Sequence, residues 1–398
     1  MIFFQMKETS SKIIFIHEGA ITPTIVRMYL IDELVSQGFD VELWSLRFLR
    51  TLWNNLADEI SRDIYRKVDT YADLKILLSG KDTSKTIIIT SVADNYLNRH
   101  IYLHLHKKHF LYLFVDPYGS FMGKNTFTIK DRIKLAFSSN ILKKIVPELK
   151  KIYHNKVFKP LHHIDFDKHV LASVKPREIA INSNDYEAYL SLENDQERLV
   201  AGRYILFIDI FFPLHPDMPY FYGIQDVDSK PYLTSLNQFF SMIEKKYQMP
   251  VVIALHPKSL YTDVDFEGRR TYKYKTHSLI KDADIVLSHG STSTTLAVVY
   301  NKPTLFFFFQ NMIDVAPKVI QKLIWTAESF GKEARNIDIV GVDAVDITTF
   351  DDKYRDFFIY NFMTTKENEH KSNKDIIIPL LDDLFNKLRN GEKTSFQA

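Results

Sequence analysis

Side chains that suit an anionic ligand are grouped after two apolar runs in the second half of the chain. The run Val251–Leu255 stops at His256, and the run 284–287 stops shortly before Gly290. Short apolar runs of this kind are typical of buried parallel strands. Because the carboxyl ends of parallel strands meet at one edge of a sheet, both polar groups should lie at the edge where open α/β folds bind ligands.

The residues after these runs supply the donors of a phosphate site. Hydroxyls and the N–H groups of a helix's first turn suit anionic oxygens, and His256 can add a charge-assisted hydrogen bond. Each motif alone would more often be a helix cap or a plain strand end, but their joint occurrence favours a phosphate site without a metal. The residues predicted to bind the phosphate-bearing ligand share this edge of the sheet. They are His256, Pro257, Lys258, Gly290, Ser291, Thr292, Ser293 and Thr294, together with Asp209 at the end of an earlier apolar run.

A His-Pro strand end followed by a Ser/Thr pair at a helix start resembles the bacterial sialyltransferases and related transferases of nonulosonic acids. In those families the histidine and the paired hydroxyl residues hold the phosphate of a CMP-sugar. The resemblance matches His256 to that histidine and either Ser291-Thr292 or Ser293-Thr294 to the pair. Polymerases of glycerol phosphate use a similar pattern with CDP-glycerol, so that donor stays open.

The same resemblance implies a catalytic base in the first half of the chain. In the sialyltransferases an acid of a D/E-D/E-G motif, after a strand of the N-terminal domain, deprotonates the acceptor hydroxyl. Asp116, shortly before Gly119, and Glu18, directly before Gly19, each resemble part of that motif. Both acids are therefore candidate catalytic residues alongside His256. The alternatives are that either acid caps a helix, or that a retaining mechanism needs no simple base.

Composition narrows the function classes. The 398 residues are 45% hydrophobic and 14% aromatic, which is enough for two well-packed domains. A net charge of +2 gives no argument for nucleic acid, and the absence of cysteine excludes disulfides, thiol catalysis and thiolate metal sites. The chain has no dinucleotide fingerprint, P-loop or nucleophile elbow. We expect no metal and no cofactor besides the donor substrate.

The order of strand-like and helical segments predicts an α/β fold of two doubly wound Rossmann-like domains facing a cleft, the GT-B fold of the resemblance. The first domain is predicted over 1–160 and the second over 201–398, which includes a closing C-terminal helix. Residues 161–200 lose periodicity and are predicted to connect the domains. The predicted buried strands lie at 13–16, 41–44, 86–90 and 110–115 in the first domain, and at 204–210, 251–255, 284–287 and 303–309 in the second.

One segment, from Lys130 to Lys159, predicts basic amphipathic helices, with nine Lys/Arg against two acids. Such a face is either simply solvated or a contact with an anionic membrane surface. The chain shows neither a signal peptide nor an apolar run long enough to cross a bilayer. We therefore expect a cytoplasmic protein, with peripheral contact at the inner membrane face as the alternative.

These observations and the resemblance together predict a glycosyltransferase. It would move a nonulosonic acid (sialic, pseudaminic, legionaminic or Kdo type) from a CMP donor to an oligosaccharide or lipid-linked glycan of a capsule or lipopolysaccharide. His215 and Asp217, in a Pro-rich loop, are candidates for acceptor or base contacts. The alternatives are a CDP-glycerol or UDP-sugar transferase, a sugar-nucleotide epimerase, and a catalytically dead scaffold of the same fold.

Overall fold

The chain divides into two α/β units, which a computed structural model describes over residues 11–49, 62–92, 98–116, 162–165, 178–192, 198–345 and 347–391. Within those residues, the first unit comprises the chain up to residue 184 together with 364–391. The second unit comprises 185–363.

Seven strands form the sheet of the first unit. They are β1 (Lys12–His17), β2 (Asp40–Leu46), β3 (Tyr65–Val68), β4 (Thr86–Thr90), β5 (Leu111–Asp116), β6 (His162–Asp165) and β7 (Glu178–Ala180). Their order is β3-β2-β1-β4-β5-β6-β7, and every pair is parallel. The chain builds the sheet outward in both directions from β1 and β4, so the sheet is doubly wound.

Strand β1 shows why this sheet is covered on both faces. Ile13 and Phe15 pack into one core and Ile14 and Ile16 into another, because successive side chains of a strand point to opposite faces. A parallel strand buried on both faces needs a continuous apolar run, which β1 has. The helices of this part are α1 (Pro23–Met28), α2 (Ile31–Ser36), α3 (Tyr71–Ser79) and α4 (Arg99–Lys107), with a short 3₁₀ helix at Arg47–Leu49.

Six parallel strands form the sheet of the second unit. They are β8 (Ile205–Ile208), β9 (Val251–Leu255), β10 (Thr271–Lys273), β11 (Ile285–Ser288), β12 (Thr304–Phe308) and β13 (Ala334–Asn336). The order β10-β9-β8-β11-β12-β13 again reverses direction once, between β8 and β11. In doubly wound sheets, ligands bind outside the carboxyl ends of the strands at such a reversal.

Eight helices accompany the second sheet within the described residues. They are α5 (Asn184–Leu192), α6 (Lys230–Tyr247), α7 (Thr276–Asp282), α8 (Thr294–Val299), α9 (Gln310–Val315), α10 (Pro317–Ser329), α11 (Ile337–Val340) and α12 (Asp352–Phe358), with π-helical turns at Met218–Tyr222 and Ile359–Met363. Helix α6 buries Phe239, Phe240 and Ile243 on one side and exposes lysines on the other, as a helix lying on a sheet should.

The last helix, α13 (Asn373–Arg389), belongs to the first unit. Its residues Leu381, Leu384 and Phe385 are buried in the same core as Ile13 and Phe15. A capping box between Ser372 and Asp375 fixes where the helix begins. The sequence-based boundaries placed this helix in the second domain, so the structure divides the chain differently.

The segment predicted as a connection also contributes to both units. Strands β6 and β7 extend the first sheet, and α5 packs on the second core through Tyr186. The two doubly wound α/β domains predicted from the sequence are confirmed. The basic segment from Lys130 to Lys159 lies outside the described residues.

Candidate functional site

Three loops meet at the carboxyl edge of the second sheet. Strand β8 lies between β9 and β11, so the strand ends that precede Asp209, His256 and His289 stand side by side. The structure thus brings the His-Pro motif and the Ser/Thr run to one edge, with the β8 loop between them. This edge lies at the reversal of strand order.

Asp209 holds two of these loops together. One carboxylate oxygen accepts the main-chain N–H of Phe211 at 2.8 Å, and the other accepts the main-chain N–H of His256 at 3.2 Å. The residue is only 2% exposed, and burial raises the pKa of Asp209 to about 6 despite these bonds. The sequence predicted that Asp209 contacts the donor substrate. In the structure both oxygens of its buried carboxylate accept main-chain N–H groups, and one of these bonds positions His256.

The ring of His256 is oriented by its own turn. Its Nδ1 accepts the main-chain N–H of Lys258 at 3.1 Å, which leaves the proton of the neutral ring on Nε2. Burial, with the charges of Lys258 and Lys273 and the neighbouring His215, lowers the pKa of His256 to about 3. The ring is therefore neutral at pH 7 and offers one ordinary N–H donor; the charge-assisted bond expected from the sequence requires it to take up a proton.

His215 lies against His256. The two ring centroids are 4.6 Å apart and nearly perpendicular. Burial lowers the pKa of His215 to about 4; Asp217 opposes this shift, and the charges of Lys258 and Lys322 add to it. Sequence reasoning assigned His215 to acceptor or base contacts. In the structure it is a neighbour of His256, a relation indicated in the sequence by the repeat of Leu-His-Pro at 214–216 and 255–257.

The Ser/Thr run forms a tight turn that closes on itself. The hydroxyls of Ser288 and Thr294 lie 2.7 Å apart, and the Ser288 hydroxyl also accepts the N–H of Gly290 at 3.0 Å. Thr295 donates its hydroxyl to Asp185 on α5, and the other oxygen of Asp185 lies 3.2 Å from Nε2 of His277. Because its hydroxyl is bonded to that of Ser288, Thr294 has a structural role, although the sequence predicted that it binds the donor substrate.

The donors that remain are at the tip of this turn. Over the described parts of the chain, the hydroxyls of Ser291, Thr292 and Ser293 make no hydrogen bond. The first N–H groups of α8 are already used, because those of Thr294 and Thr295 donate to the carbonyls of Ser291 and Thr292. The N–H groups of the first turn of α8 are therefore paired, whereas the side-chain hydroxyls of the preceding turn are not.

Gly290 is required at the start of the turn for two reasons. Its φ of +85° is a conformation that residues with a Cβ rarely adopt. A Cβ at this position would also lie 3.2 Å from Cδ1 and 3.3 Å from Cα of Leu323 on α10. This close approach brings α10, and with it Lys322, next to the end of β11. Sequence reasoning missed Lys322, since nothing in its own segment marks it.

His289, between β11 and Gly290, has a structural setting. It is 3% exposed, and its Nδ1 donates to the carbonyl of Phe307 at 2.7 Å. Its ring packs against Phe207 and Phe307, and burial lowers the pKa of His289 to about 4. A neutral imidazole packed among aromatic rings anchors the turn to the core.

A cavity of about 410 Å³ opens beside His215. This volume is in the range of small-molecule sites. Its walls are mostly apolar and include a few polar side chains. The lining residues are Pro213, Leu214, His215, Met218, Pro219, Ile224, Gln225, Asp226 and Val227.

The candidate acids lie in the first unit. Glu18 is half-buried and directly follows β1, and Asp116 is the last residue of β5, two strands away at the same carboxyl edge. The side chain of Asp116 lies outside the described residues. The structure therefore places both acids at a strand end of the first sheet, whereas His256 and the Ser/Thr turn belong to the second.

Neither a membrane-spanning helix nor a metal-ligand cluster is found among the described residues. No helix among them combines the length and apolar character that a membrane crossing needs. Within the same residues, no group of three or more histidine, aspartate and glutamate side chains could hold a metal ion.

Comparisons with known proteins identify the fold. No known protein family and no curated protein matches the sequence. Among solved structures, the calicheamicin glycosyltransferase CalG4 has a TM-score of 0.52 at 11% identity, covering 96% of this chain and 99% of its own. The wall teichoic acid polymerase TagF, soaked with CDPG, has a TM-score of 0.52 at 11% identity, covering 95% of this chain and 90% of its own. At this identity the likeness establishes the fold alone, which is that of GT-B glycosyltransferases.

Proposed function

We propose that this chain is a glycosyltransferase whose second domain binds the phosphate of a nucleotide-activated donor. The observation that carries the proposal is the set of uncommitted donors at one sheet edge: Nε2 of His256 and the hydroxyls of Ser291, Thr292 and Ser293. Phosphate oxygens are strong acceptors of such donors. The GT-B fold is compatible with this chemistry, but the argument for function rests on the site.

The preferred donor is a CMP-activated nonulosonic acid, with a surface glycan as acceptor. In that reaction a phosphate leaves with increased negative charge, and preorganised donors that face this charge lower the barrier. His256, Lys258 and the hydroxyl tip would supply that stabilisation. The cavity beside His215 is large enough for part of the donor, such as its base. Glu18 or Asp116 would accept the proton of the acceptor hydroxyl.

A CDP-glycerol or UDP-sugar donor is the second candidate. The observation that favours it is the number of cations around the site. Lys258, Lys273 and Lys322 all lie close enough for their charges to affect His215 or His256. A diphosphate places its two negative charges next to each other, where three ammonium groups can face both, whereas the second charge of a CMP-nonulosonate lies on the carboxylate of the sugar.

Thermal stabilisation by CMP, CDP, UMP and UDP tests both candidates. Each nucleotide is added in EDTA to the wild type, to His256→Ala, and to His106→Ala as a control on an exposed histidine of α4. A nucleotide at 100 times its Kd should stabilise by about 2.7 kcal/mol. Loss of the His256 hydrogen bond should weaken binding about 10- to 100-fold.

The outcomes separate the candidates. Stabilisation by CMP alone that His256→Ala removes and His106→Ala keeps supports the CMP-sugar transferase, and turnover of CMP-nonulosonates can then be measured. Stronger stabilisation by CDP or UDP moves the second candidate to first place. If no nucleotide stabilises the wild type, the proposed function is wrong and a scaffold role takes its place.

A further inference from the structure

The second sheet carries two copies of the same turn. Leu214-His215-Pro216 follows β8 and Leu255-His256-Pro257 follows β9. In both, Nδ1 of the histidine accepts the N–H of the residue two positions later at 3.1 Å. In both, the histidine carbonyl accepts the N–H of the residue three positions later at 2.8 Å. The two imidazoles are therefore held by matching hydrogen bonds.

This geometry gives both rings the same tautomer. An Nδ1 that accepts a hydrogen bond leaves the proton of a neutral ring on Nε2. Across the described residues, no hydrogen bond is made by Nε2 of His215 or His256. The turns are tied together, because the Tyr261 hydroxyl donates to the carbonyl of Phe212 at 2.9 Å and Asp209 holds the N–H of His256. The two rings, each with an Nε2 that no described residue bonds, are thus held with their centroids 4.6 Å apart.

The charges around the pair are mostly positive. Lys258 affects both rings, Lys273 affects His256, and Lys322 reaches His215 from α10. The acids that face the pair are Asp217, 3.6 Å from Nδ1 of His215, and Asp209, which is occupied by main-chain N–H groups. Asp217 does not outweigh burial and the lysines, which keep both rings neutral, so a protonated ring here needs a further anion.

We infer that His215 is a second phosphate-binding residue, and that His215 and His256 bind one anion as a pair that takes up a proton. A phosphate at the two Nε2 atoms supplies the missing negative charge, which favours the protonated form of a ring beside it. One proton is taken up, because two imidazolium rings in contact would repel each other. The inference rests on the proposed function for the identity of the molecule that carries the phosphate.

Histidine NMR tests the pair directly. Protein labelled with ¹⁵N in its histidines is titrated from pH 8 down to about pH 2.5, so that the low midpoints of both rings fall inside the range. The titration is run once in sodium sulfate and once in sodium chloride at equal ionic strength, and then with CMP. His215→Gln and His256→Gln assign the signals. In sulfate, the first protonation step of the coupled pair should move up by about 1 pH unit or more, and the signals of both rings should report it. His106→Gln, at an exposed histidine of α4, is the matched control for binding.

The wild-type titration does not depend on how any variant folds. If sulfate raises both midpoints and CMP does the same, the pair and the proposed function are both supported. If sulfate raises both midpoints but no nucleotide binds, the pair stands and the proposed function falls. If CMP shifts His256 alone, the pair is overturned while the nucleotide site survives, and if neither anion shifts either ring the inference is also overturned. A His215→Gln variant should bind sulfate at least about 5-fold more weakly than His106→Gln.

Discussion

Each unit contains a buried titratable cluster, and the two clusters are built in opposite ways. In the first unit, one oxygen of Glu42 on β2 accepts hydrogen bonds from Lys12 at 2.7 Å and Lys81 at 2.6 Å. The other accepts one from the Trp44 indole at 2.9 Å. Burial alone would raise the pKa of Glu42, but these bonds lower it to about 2. In the second unit, His215 and His256 are surrounded by lysines, and their charged form is suppressed.

Under the proposed function, the difference separates a cluster that stabilises the fold from one that would bind a ligand. A buried charge that has its partners inside the protein is already satisfied. A pair of neutral rings that would become charged only beside an outside anion is not satisfied, and it lies at the edge of the sheet where ligands bind. The two clusters therefore differ in whether the protein itself supplies the partners of the charged form. Neither burial nor the size of the pKa shift by itself distinguishes them.

The largest contrast is expected in stability. Glu42→Gln removes the charge that three donors surround, so the free energy of unfolding should fall by about 2–3 kcal/mol. His215→Gln removes no internal charge pair and should change it by less than about 1 kcal/mol. Urea unfolding at pH 7 measures both. A larger loss for His215→Gln than for Glu42→Gln would reverse the comparison.

The second prediction concerns the backbone of the ligand site. Gly290→Ala should destabilise the protein by about 1–2 kcal/mol, because it combines a strained φ with contact against Leu323. Gly341→Ala is the matched control, since its φ is +73° and no atom lies within 4 Å of a Cβ there. The excess loss in urea unfolding measures the packing of α10 on the turn. If both variants lose the same free energy of unfolding, α10 can move away from the added Cβ with no measurable loss of stability.

The clusters should also lose stability in different pH ranges. The pKa values of His215, His256 and His289 are below the ordinary value of 6.5, so the unfolded chain binds more protons and stability falls as pH drops from 6.5 toward 4. Asp209 has the opposite effect. Because its pKa is raised to about 6, the folded chain takes up a proton there before the unfolded chain does, which adds stability as the pH falls. The Glu42 contribution is present above pH 4.5 and is lost only below it.

We expect the free energy of unfolding to fall by about 1 kcal/mol between pH 6.5 and 5. This value allows for the partial exposure of His215 and His256, because solvent weakens the effect of their pKa shifts. Urea unfolding at these pH values measures it, and His215→Gln should lose less than the wild type. A loss confined to pH below 4.5 would show that the histidines do not contribute.

The smallest effect is expected for the lysine that approaches from α10. Lys322→Met should weaken CMP binding about 3-fold at low salt and less at 1 M salt, because an exposed charge acts through screened attraction. Lys318→Met removes the same charge one helical turn away and should have a smaller effect. Calorimetric titration at two salt concentrations measures both variants. Identical effects at both positions would assign the change to net charge alone.

The sequence predicted the buried strands well and the edge strands poorly. All eight predicted runs correspond to strands of the two sheets. The five strands that were not predicted lie at or next to a sheet edge. Such strands are half-solvated and carry polar residues, as in Tyr65–Val68 and Thr271–Lys273, so they lack the continuous apolar run that marks a strand covered on both faces.

At the site, the sequence predicted where polar groups gather but not what each one contacts. Doubly wound sheets bring strand ends together, which is why His256 and the Ser/Thr run could be assigned to one edge. Whether Thr294 bonds to Ser288, or Asp209 turns inward, depends on a few ångströms of packing. Lys322 reaches the site only because α10 packs on Gly290, a long-range contact that no local pattern encodes.

Helix α13 has a consequence for how the protein is made. Asn182 and Asn373 are joined by two hydrogen bonds although they lie 191 residues apart, and the buried residues of α13 complete the core around β1. A nascent chain leaving the ribosome would therefore expose the incomplete first domain while the whole second domain is synthesised. During that interval the apolar surface beside β1 would be open to chaperones, even though its strands come first in the chain.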